Sequence, residues 1–431
     1  MKKNCAFTIC TKSYIGYVSA LKNSISKYQD DLDFFIVIAD EIDSQIDLPA
    51  NVLIAKDILK NFSAEKWIEL TFKYNLTEFC TCIKPDSFLY FFNLGYENAC
   101  YFDPDLYFFD SPKAIYNYFD KYKVIVTPHC VNMEITERED SAEFDARQSG
   151  LFNFGFVGLK NTPKTTDFLN WWHNRLDDKC YFDSMNFLCT DQKWGDLLPC
   201  YFDSDEFFVC RDMGWNVAPW NYFEREIVNE NGNWLVKNRY NNESAKPILF
   251  AHFSGYDYKK IVNNGEVIQK NDHHLKVYSD IQAFEQFYVG VLSQIKDVFL
   301  KYINLPYTYN FYSNNTKIEK MHRRLYHSSK LQNIDLGNPF DAENKAFYKK
   351  LQKLSMFSNS NNDDFSAIMN SAGTVKKLKL VNKLMRFLYK IVGYKTYLSI
   401  LKLFQAYNWY ENQYHLIEKD KNVLFFRKRI I

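Results

Sequence analysis

Short continuous apolar runs alternate along this chain with stretches in which apolar residues recur every three or four positions. Ala6-Phe7-Thr8-Ile9-Cys10 predicts a first strand, closed by Thr11-Lys12-Ser13-Tyr14. From about Tyr17 to Tyr28, Val18, Leu21, Ile25 and Tyr28 fall on one face of a helix. Phe34 to Ala39 is an unbroken apolar run ending at Asp40-Glu41, the mark of a strand buried on both faces. Strand, helix and strand in forty residues predict a right-handed βαβ unit and a parallel sheet. The loops Thr8–Tyr14 and Ala39–Glu41 lie at strand ends, where such a sheet binds a nucleotide.

Phe62 to Asn93 is helical in pattern and interrupted at Lys84-Pro85, where proline suits the first turn of a new helix. After Gly95, an apolar run through Cys100-Tyr101-Phe102 stops at Asp103-Pro104-Asp105. In an extended chain, side chains at i and i+2 leave on one face, so these two carboxylates converge. Pro104 fixes its own φ and restricts Asp103, which stiffens the presentation. Two carboxylates at a strand's C-terminal end suit a hard cation, Mg²⁺ or Mn²⁺. The competing reading is an ordinary acidic turn.

Lys123 to Thr127 predicts another strand, and the charged, weakly periodic stretch Asn132–Gln148 a loop over a site. Asn153 to Leu159 predicts a strand whose glycines allow close backbone approach. Thr162-Pro163 opens a helix through Leu176, Asp191-Gln192 reads as a helix cap or a site, and Ile248 to Tyr256 is a strand stopping at His252 and a glycine turn.

Composition narrows the classes. With 431 residues, 47% of them hydrophobic and 18% aromatic, the chain can build a large core and more than one domain. Lys plus Arg number 53 against 52 Asp plus Glu, so net charge gives no case for a nucleic-acid partner. The ten cysteines all lie between Cys5 and Cys210 without a C-x-x-C pair, and read as buried free thiols in a reducing compartment. The Ala6–Cys10 stretch is too short for a signal peptide, and no apolar run reaches the roughly 18–20 residues of a membrane span. The location expected is the cytoplasm, or the cytoplasmic face of the inner membrane. There is no G-x-G-x-x-G and no Walker motif, which excludes a dinucleotide fingerprint and a P-loop.

Together, Phe7-Thr8-Ile9-Cys10-Thr11, Leu76-Thr77-Glu78-Phe79 with Lys84-Pro85, Tyr101 to Asp105, Asn153-Phe154-Gly155-Phe156, Asp191-Gln192-Lys193-Trp194, Asn216 to Asn221 and His252-Phe253-Ser254-Gly255 resemble bacterial glycosyltransferases of the GT-A fold. The resemblance is to the glycogenin and lipooligosaccharide galactosyltransferase group, and covers about residues 5–258. It implies an α/β fold with a Rossmann-like, mainly parallel sheet flanked by helices. It also implies a nucleotide-sugar donor, UDP-linked, and transfer with retention, in cell-surface polysaccharide synthesis. Asp103, Asp105 and His252 would hold the Mn²⁺ or Mg²⁺. Thr8, Thr11 and Tyr14 would line the nucleotide, with Asp40 near the base or ribose. Lys84 stands where relatives carry an arginine that touches the donor, and a lysine loses the bidentate fork. Asn153, Asp191 and Gln192 would stand over the sugar and the acceptor, a glycan, lipid-linked group or protein. Rival readings are a metal-dependent phosphohydrolase and a non-catalytic carbohydrate-binding scaffold.

Beyond about Tyr258 the pattern predicts a helical extension over 261–357, with Arg323-Arg324 as an acceptor-side basic cluster. Ser358–Asp364 reads as a polar linker. Lys376, Lys377, Lys379, Lys383, Arg386, Lys390, Lys395 and Lys402 then follow with no acidic residue between them, and Leu380, Leu384, Phe387, Leu388, Ile391 and Val392 recur at helical spacing. A basic amphipathic helix reads as an element for an anionic membrane surface or a partner. A helix packed on its own domain is the alternative. The cationic, aromatic end Phe425–Ile431 favours the membrane. The division expected is 1–260, 261–357 and 358–431.

Overall fold

The computed structural model describes residues 2–29, 31–132, 142–183, 186–241, 243–270, 278–357 and 372–417. The chain forms two compact units, 1–67 with 76–308, and 68–75 with 309–431. The division expected near residue 260 falls inside the first unit. The linker at Ser358–Asp364 and the end Phe425–Ile431 lie outside the described residues, as does the side chain of Lys376.

The apolar runs become strands β1 (Lys2–Cys10), β2 (Asp33–Ile38), β3 (Val52–Ile54), β4 (Tyr96–Phe102), β5 (Leu106–Phe108), β6 (Val124–Pro128) and β7 (Phe152–Lys160). Beyond them come β8 (Phe182–Asp183), β9 (Leu188–Cys189), β10 (Phe207–Val209), β11 (Arg225–Glu230), β12 (Asn233–Asn238), β13 (Lys246–Pro247) and β14 (Phe250–His252). Seven of these make the main sheet, in the order β10-β6-β7-β4-β1-β2-β3. Cys5 opposes Asp33 and Ala99 across parallel pairings, whereas β7 runs antiparallel to both β4 and β6. This mixed, mainly parallel sheet flanked by helices is the fold class that the sequence resemblance implies. It departs from the simple βαβ expectation only at β7.

Helix α1 (Ile15–Tyr28) shows why its periodicity is so regular. Val18, Leu21 and Ile25 join Ile36, Ile38, Cys100 and Phe102 in one core cluster. Tyr17 and Ala20 join Phe253, Phe284, Tyr288 and Phe299 in a second. The helix is covered on both sides as far as Ile25, and its last turn emerges, so Tyr28, expected on the apolar face, is 37% exposed. The pattern from Phe62 to Asn93 resolves into three helices, Ala64–Lys73, Leu76–Cys82 and Lys84–Asn93.

Two expectations need correction. The described part of the stretch read as a loop includes a helix, Ala142–Ser149. Its sequence is rich in helix formers, and of its described side chains Ala146 is buried while Arg147 and Gln148 are exposed. Arg323 and Arg324 are not an exposed basic cluster, being 2% and 4% exposed. Arg323 donates to the carbonyls of Thr71, Phe72 and Tyr74 at 3.1, 2.8 and 2.7 Å, and Arg324 to that of Lys73 at 3.2 Å. These are orphan acceptors at a helix C-terminus, which cations satisfy well.

Candidate metal and donor site

The main sheet's C-terminal edge carries the acidic pair. Strand β4 ends at Phe102, and the Asp103 amide continues its ladder by donating to the Gly155 carbonyl at 2.7 Å. The chain then turns at Pro104-Asp105 into β5, which pairs antiparallel with β14 so that Leu106 opposes His252. That short two-stranded ladder delivers the histidine, 147 positions beyond Asp105, to the acidic turn. His252 Nε2 lies 3.0 Å from Asp105 Oδ1 and 3.7 Å from Asp103 Oδ2. Ligand atoms of the three residues fall within 4.8 Å of one another.

Burial disfavours a charged His252, but Asp105 and then Asp103 outweigh it and lift the imidazole above its ordinary value. Burial also raises Asp103, against the opposing pull of Lys84 and His252. Two carboxylates around one imidazole are a donor set that suits a divalent cation. Gly155 is part of this geometry. A Cβ there would lie 2.4 Å from His252 Cε1 and 2.8 Å from Asn153 Oδ1.

Asn153 is the hub behind the histidine. Its Oδ1 accepts from the Gly155 amide and from Asn216 Nδ2, both at 3.1 Å, and lies 3.3 Å from His252 Nδ1. Its amide nitrogen donates to Gln192 Oε1 at 3.2 Å. Gln192 Oε1 also accepts from the Phe154 amide at 3.0 Å, while its Nε2 donates to the Ser149 carbonyl at 3.0 Å. Gln192 is thereby turned inward.

Asp191 stands at the N-cap position of a 3₁₀ turn, Gln192–Leu197, but its side chain caps nothing there. Instead Asp191 Oδ2 is 2.5 Å from Lys84 Nζ, with the side chains 3% and 1% exposed. The Lys84 ammonium donates also to the Phe154 carbonyl at 2.9 Å and sits 4.0 Å above the Tyr101 ring. The helix-cap reading of Asp191 therefore gives way to a buried ion pair. Lys84 spends its donors inside the protein rather than presenting them outward.

At the β1 end, Thr8 and Thr11 are fully buried, and the Thr8 hydroxyl has no partner. Tyr14 is half-buried beside Tyr17 and Tyr258 and feels the charge of Asp105. Asp40, 1% exposed, is enclosed: Lys12 Nζ lies 3.3 Å from its Oδ2, and the Thr308 amide donates to Oδ1 at 3.0 Å. Cys10 and Cys80 flank this end, and burial raises both thiols, so they stay protonated and inert.

Sequence reasoning gave no role to several residues here. Lys12, Thr308 and Asn216 act only through partners far away in the chain. Trp220 sets its ring edge-on to His252 and to His129, at 5.1 and 5.5 Å between centroids. Burial pushes His129 down to about 4, so it is neutral at pH 7. Tyr101 did leave a signal: the i, i+2 rule that pairs Asp103 with Asp105 also puts Tyr101 on the Asp103 face. Its hydroxyl donates to Asp103 Oδ1 at 2.6 Å.

The strand order defines a mixed, mainly parallel α/β fold, with the Asp103, Asp105 and His252 cluster at the C-terminal edge of its sheet. Among known proteins, the chain is 25% identical over 296 residues to the uncharacterised protein YfnF of Bacillus subtilis (strain 168), covering 67% of this chain and 91% of that one. It is 24% identical over 270 residues to YfnD of the same strain, covering 58% and 76%. No family model matches the chain. Among solved structures, it is similar to the galactosyltransferase LgtC in complex with donor and acceptor sugar analogues, at 12% identity and a TM-score of 0.38 over 68% of this chain and 95% of that one. Mouse xyloside xylosyltransferase 1 follows at 13% identity and a TM-score of 0.36, over 58% and 98%.

Proposed function

We propose that this chain is a metal-dependent glycosyltransferase, moving a hexose from a UDP-linked donor to a saccharide, lipid-linked or protein acceptor with retention. The observation that carries this reading is the convergence of Asp103, Asp105 and His252 at the C-terminal edge of the sheet. Among the described residues there is no second cluster of this kind, which disfavours a two-metal phosphohydrolase.

Asp103, Asp105 and His252 would hold Mn²⁺ or Mg²⁺, whose remaining positions suit diphosphate oxygens. When bound, such an ion supplies Lewis-acid stabilisation of the charge left on the departing diphosphate. The chain's own groups do the rest. Thr8, with its unpartnered hydroxyl, and Thr11 and Tyr14 line the nucleotide end, and Asp40 shapes it through Lys12. Asp191, paired with Lys84, orients the sugar and stabilises its developing positive charge. Gln192 acts through Asn153, which it holds in place. In a retaining transfer the departing phosphate oxygen takes the acceptor proton, so no protein base is required. The exposed basic helix would dock on an anionic bilayer at the cytoplasmic face of the inner membrane, where lipid-linked acceptors are presented.

The test is donor hydrolysis by the full chain with Mn²⁺ and a panel of UDP-sugars. One donor should be cleaved slowly without acceptor, and Asp103→Asn or Asp105→Asn should lower that rate by at least about a hundredfold while leaving thermal melting in EDTA intact. Undiminished turnover in EDTA would sink the metal reading.

A further inference from the structure

We propose that Tyr101 is a positioning residue that couples the metal-side carboxylate Asp103 to the sugar-side carboxylate Asp191, by way of Lys84. The inference rests on the metal reading above and concerns Tyr101, which that reading leaves without a role.

Tyr101 is 2% exposed, near the end of β4, with its ring edge-on to Phe7 at 5.5 Å between centroids. That packing fixes the ring, and the ring in turn fixes two groups. At its rim, the hydroxyl donates to Asp103 Oδ1 at 2.6 Å, which leaves Oδ2 as the oxygen facing His252 Nε2. Over its face, the Lys84 ammonium stands 4.0 Å from the centroid. A desolvated cation held there is attracted by the ring quadrupole. The same ammonium reaches Asp191 Oδ2 at 2.5 Å.

Asp191 is held as firmly from its other side. Thr190 Oγ1 donates to Asp191 Oδ1 at 3.1 Å, and Trp172 Nε1 donates to the Asp191 carbonyl at 3.3 Å. Thr190 itself has φ +46°, a left-handed conformation that a β-branched residue adopts only when its surroundings impose it. Both oxygens of Asp191 are therefore assigned before any sugar arrives. One continuous chain, Asp103–Tyr101–Lys84–Asp191–Thr190, runs beneath the site, and Tyr101 is the link that touches the metal side.

The physical consequence is a division of charge. Lys84 is felt at Asp103, where a positive charge opposes binding of a second cation, and the same ammonium is paired with Asp191. Tyr101 carries the ammonium on its face and the carboxylate on its rim. A hydrogen-bonded partner behind a metal ligand typically governs affinity by 10–100-fold.

The test is Mn²⁺ binding by the full chain without donor, read by the loss of the free-ion electron paramagnetic resonance signal. Tyr101→Phe keeps the ring and removes only the hydroxyl, and should weaken Mn²⁺ binding about tenfold. Tyr116→Phe is the control, because that buried hydroxyl donates to the Cys5 carbonyl, at 2.8 Å, and meets the Cys100 thiol rather than the acidic pair; it should bind as the unmodified chain does. Asp191→Asn frees Lys84 toward Asp103 and should also weaken binding, and adding Lys84→Met should restore it. If Tyr101→Phe binds no worse than Tyr116→Phe, or if Lys84→Met fails to rescue Asp191→Asn, the coupling is overturned while the metal reading stands. If the unmodified chain binds no Mn²⁺, both fall.

Discussion

At the scale of single residues, the site is decided by where side chains are forced to stand. Gly155 is the sharpest case, because a methyl group would be driven to 2.4 Å from His252 Cε1. Gly155→Ala should displace the imidazole and raise the Mn²⁺ needed for half-maximal donor hydrolysis at least tenfold, as His252→Ala should. Overpacking of this kind costs about 1–3 kcal/mol, so melting in EDTA should fall only modestly. An unchanged Mn²⁺ dependence in either variant would show that His252 is a core residue and no ligand. The acidic pair was legible in sequence because strand geometry alone brings i and i+2 together. The Lys84–Asp191 pair was not legible, since 107 positions separate the two and no local rule links them. Gln192 shows the opposite limit: its position was readable, but its inward turn depends on the Ser149 carbonyl and the Phe154 amide.

At the scale of elements, unbroken apolar runs gave strands reliably, because a strand covered on both faces has no polar side to hide. Direction was another matter. Strand β7 reads like its neighbours, yet runs antiparallel, and nothing in Phe152–Lys160 encodes that. Strand β14 reads longer in sequence than the three residues that pair with β5, since the flanking apolar residues are buried by packing rather than by a ladder. A further contact joins two helices. His173 Nδ1, on Pro163–Lys179, lies 2.9 Å from Asp86 Oδ2, on Lys84–Asn93, and Asn61 Nδ2 holds the other Asp86 oxygen at 2.6 Å. The hydrogen bond to Asp86 raises the His173 pKa, with burial opposing it. A folded-state pKa above the unfolded value of about 6.5 means that the pair's stabilisation is fully present below that pH. It is then lost as pH rises through the folded-state value. The stability gap between the unmodified chain and His173→Gln, measured by urea unfolding, should therefore be wider at pH 5.5 than at pH 8.5. For a partly exposed pair its size should be at most about 1 kcal/mol. A gap that widens with pH would contradict the assignment.

At the scale of the whole molecule, the basic helix is the element least explained by packing. Ala372–Tyr407 bends at Gly393, where φ is +74°. Before the bend, Leu380, Leu384, Phe387 and Ile391 recur at i, i+4, i+7 and i+11, and remain 60, 57, 63 and 64% exposed. Lys379, Lys383, Arg386 and Lys390 repeat the same spacing one position earlier and are exposed as well. An exposed apolar stripe flanked by a cationic one matches an anionic bilayer, and no helix among the described residues is long and apolar enough to cross a membrane. Cutting the chain before this helix would be a poor test. Tyr414, 1% exposed, belongs to the second unit's core, and Ser328 Oγ donates to the Glu411 carbonyl at 2.9 Å, so truncation would open that core. Substitution within the stripe avoids this. The full chain should sediment with phosphatidylserine-containing vesicles at low salt, with each cation near the surface contributing on the order of 1 kcal/mol at most. Raising the salt should weaken binding without abolishing it, because burial of the apolar stripe is not screened. Leu384→Glu with Phe387→Glu removes two side chains worth about 1.5–3 kcal/mol each when buried, and should cut vesicle binding more than tenfold while donor hydrolysis in solution is kept. If the unmodified chain ignores anionic vesicles at low salt, or if the double variant binds them equally well, the stripe serves some surface other than a bilayer.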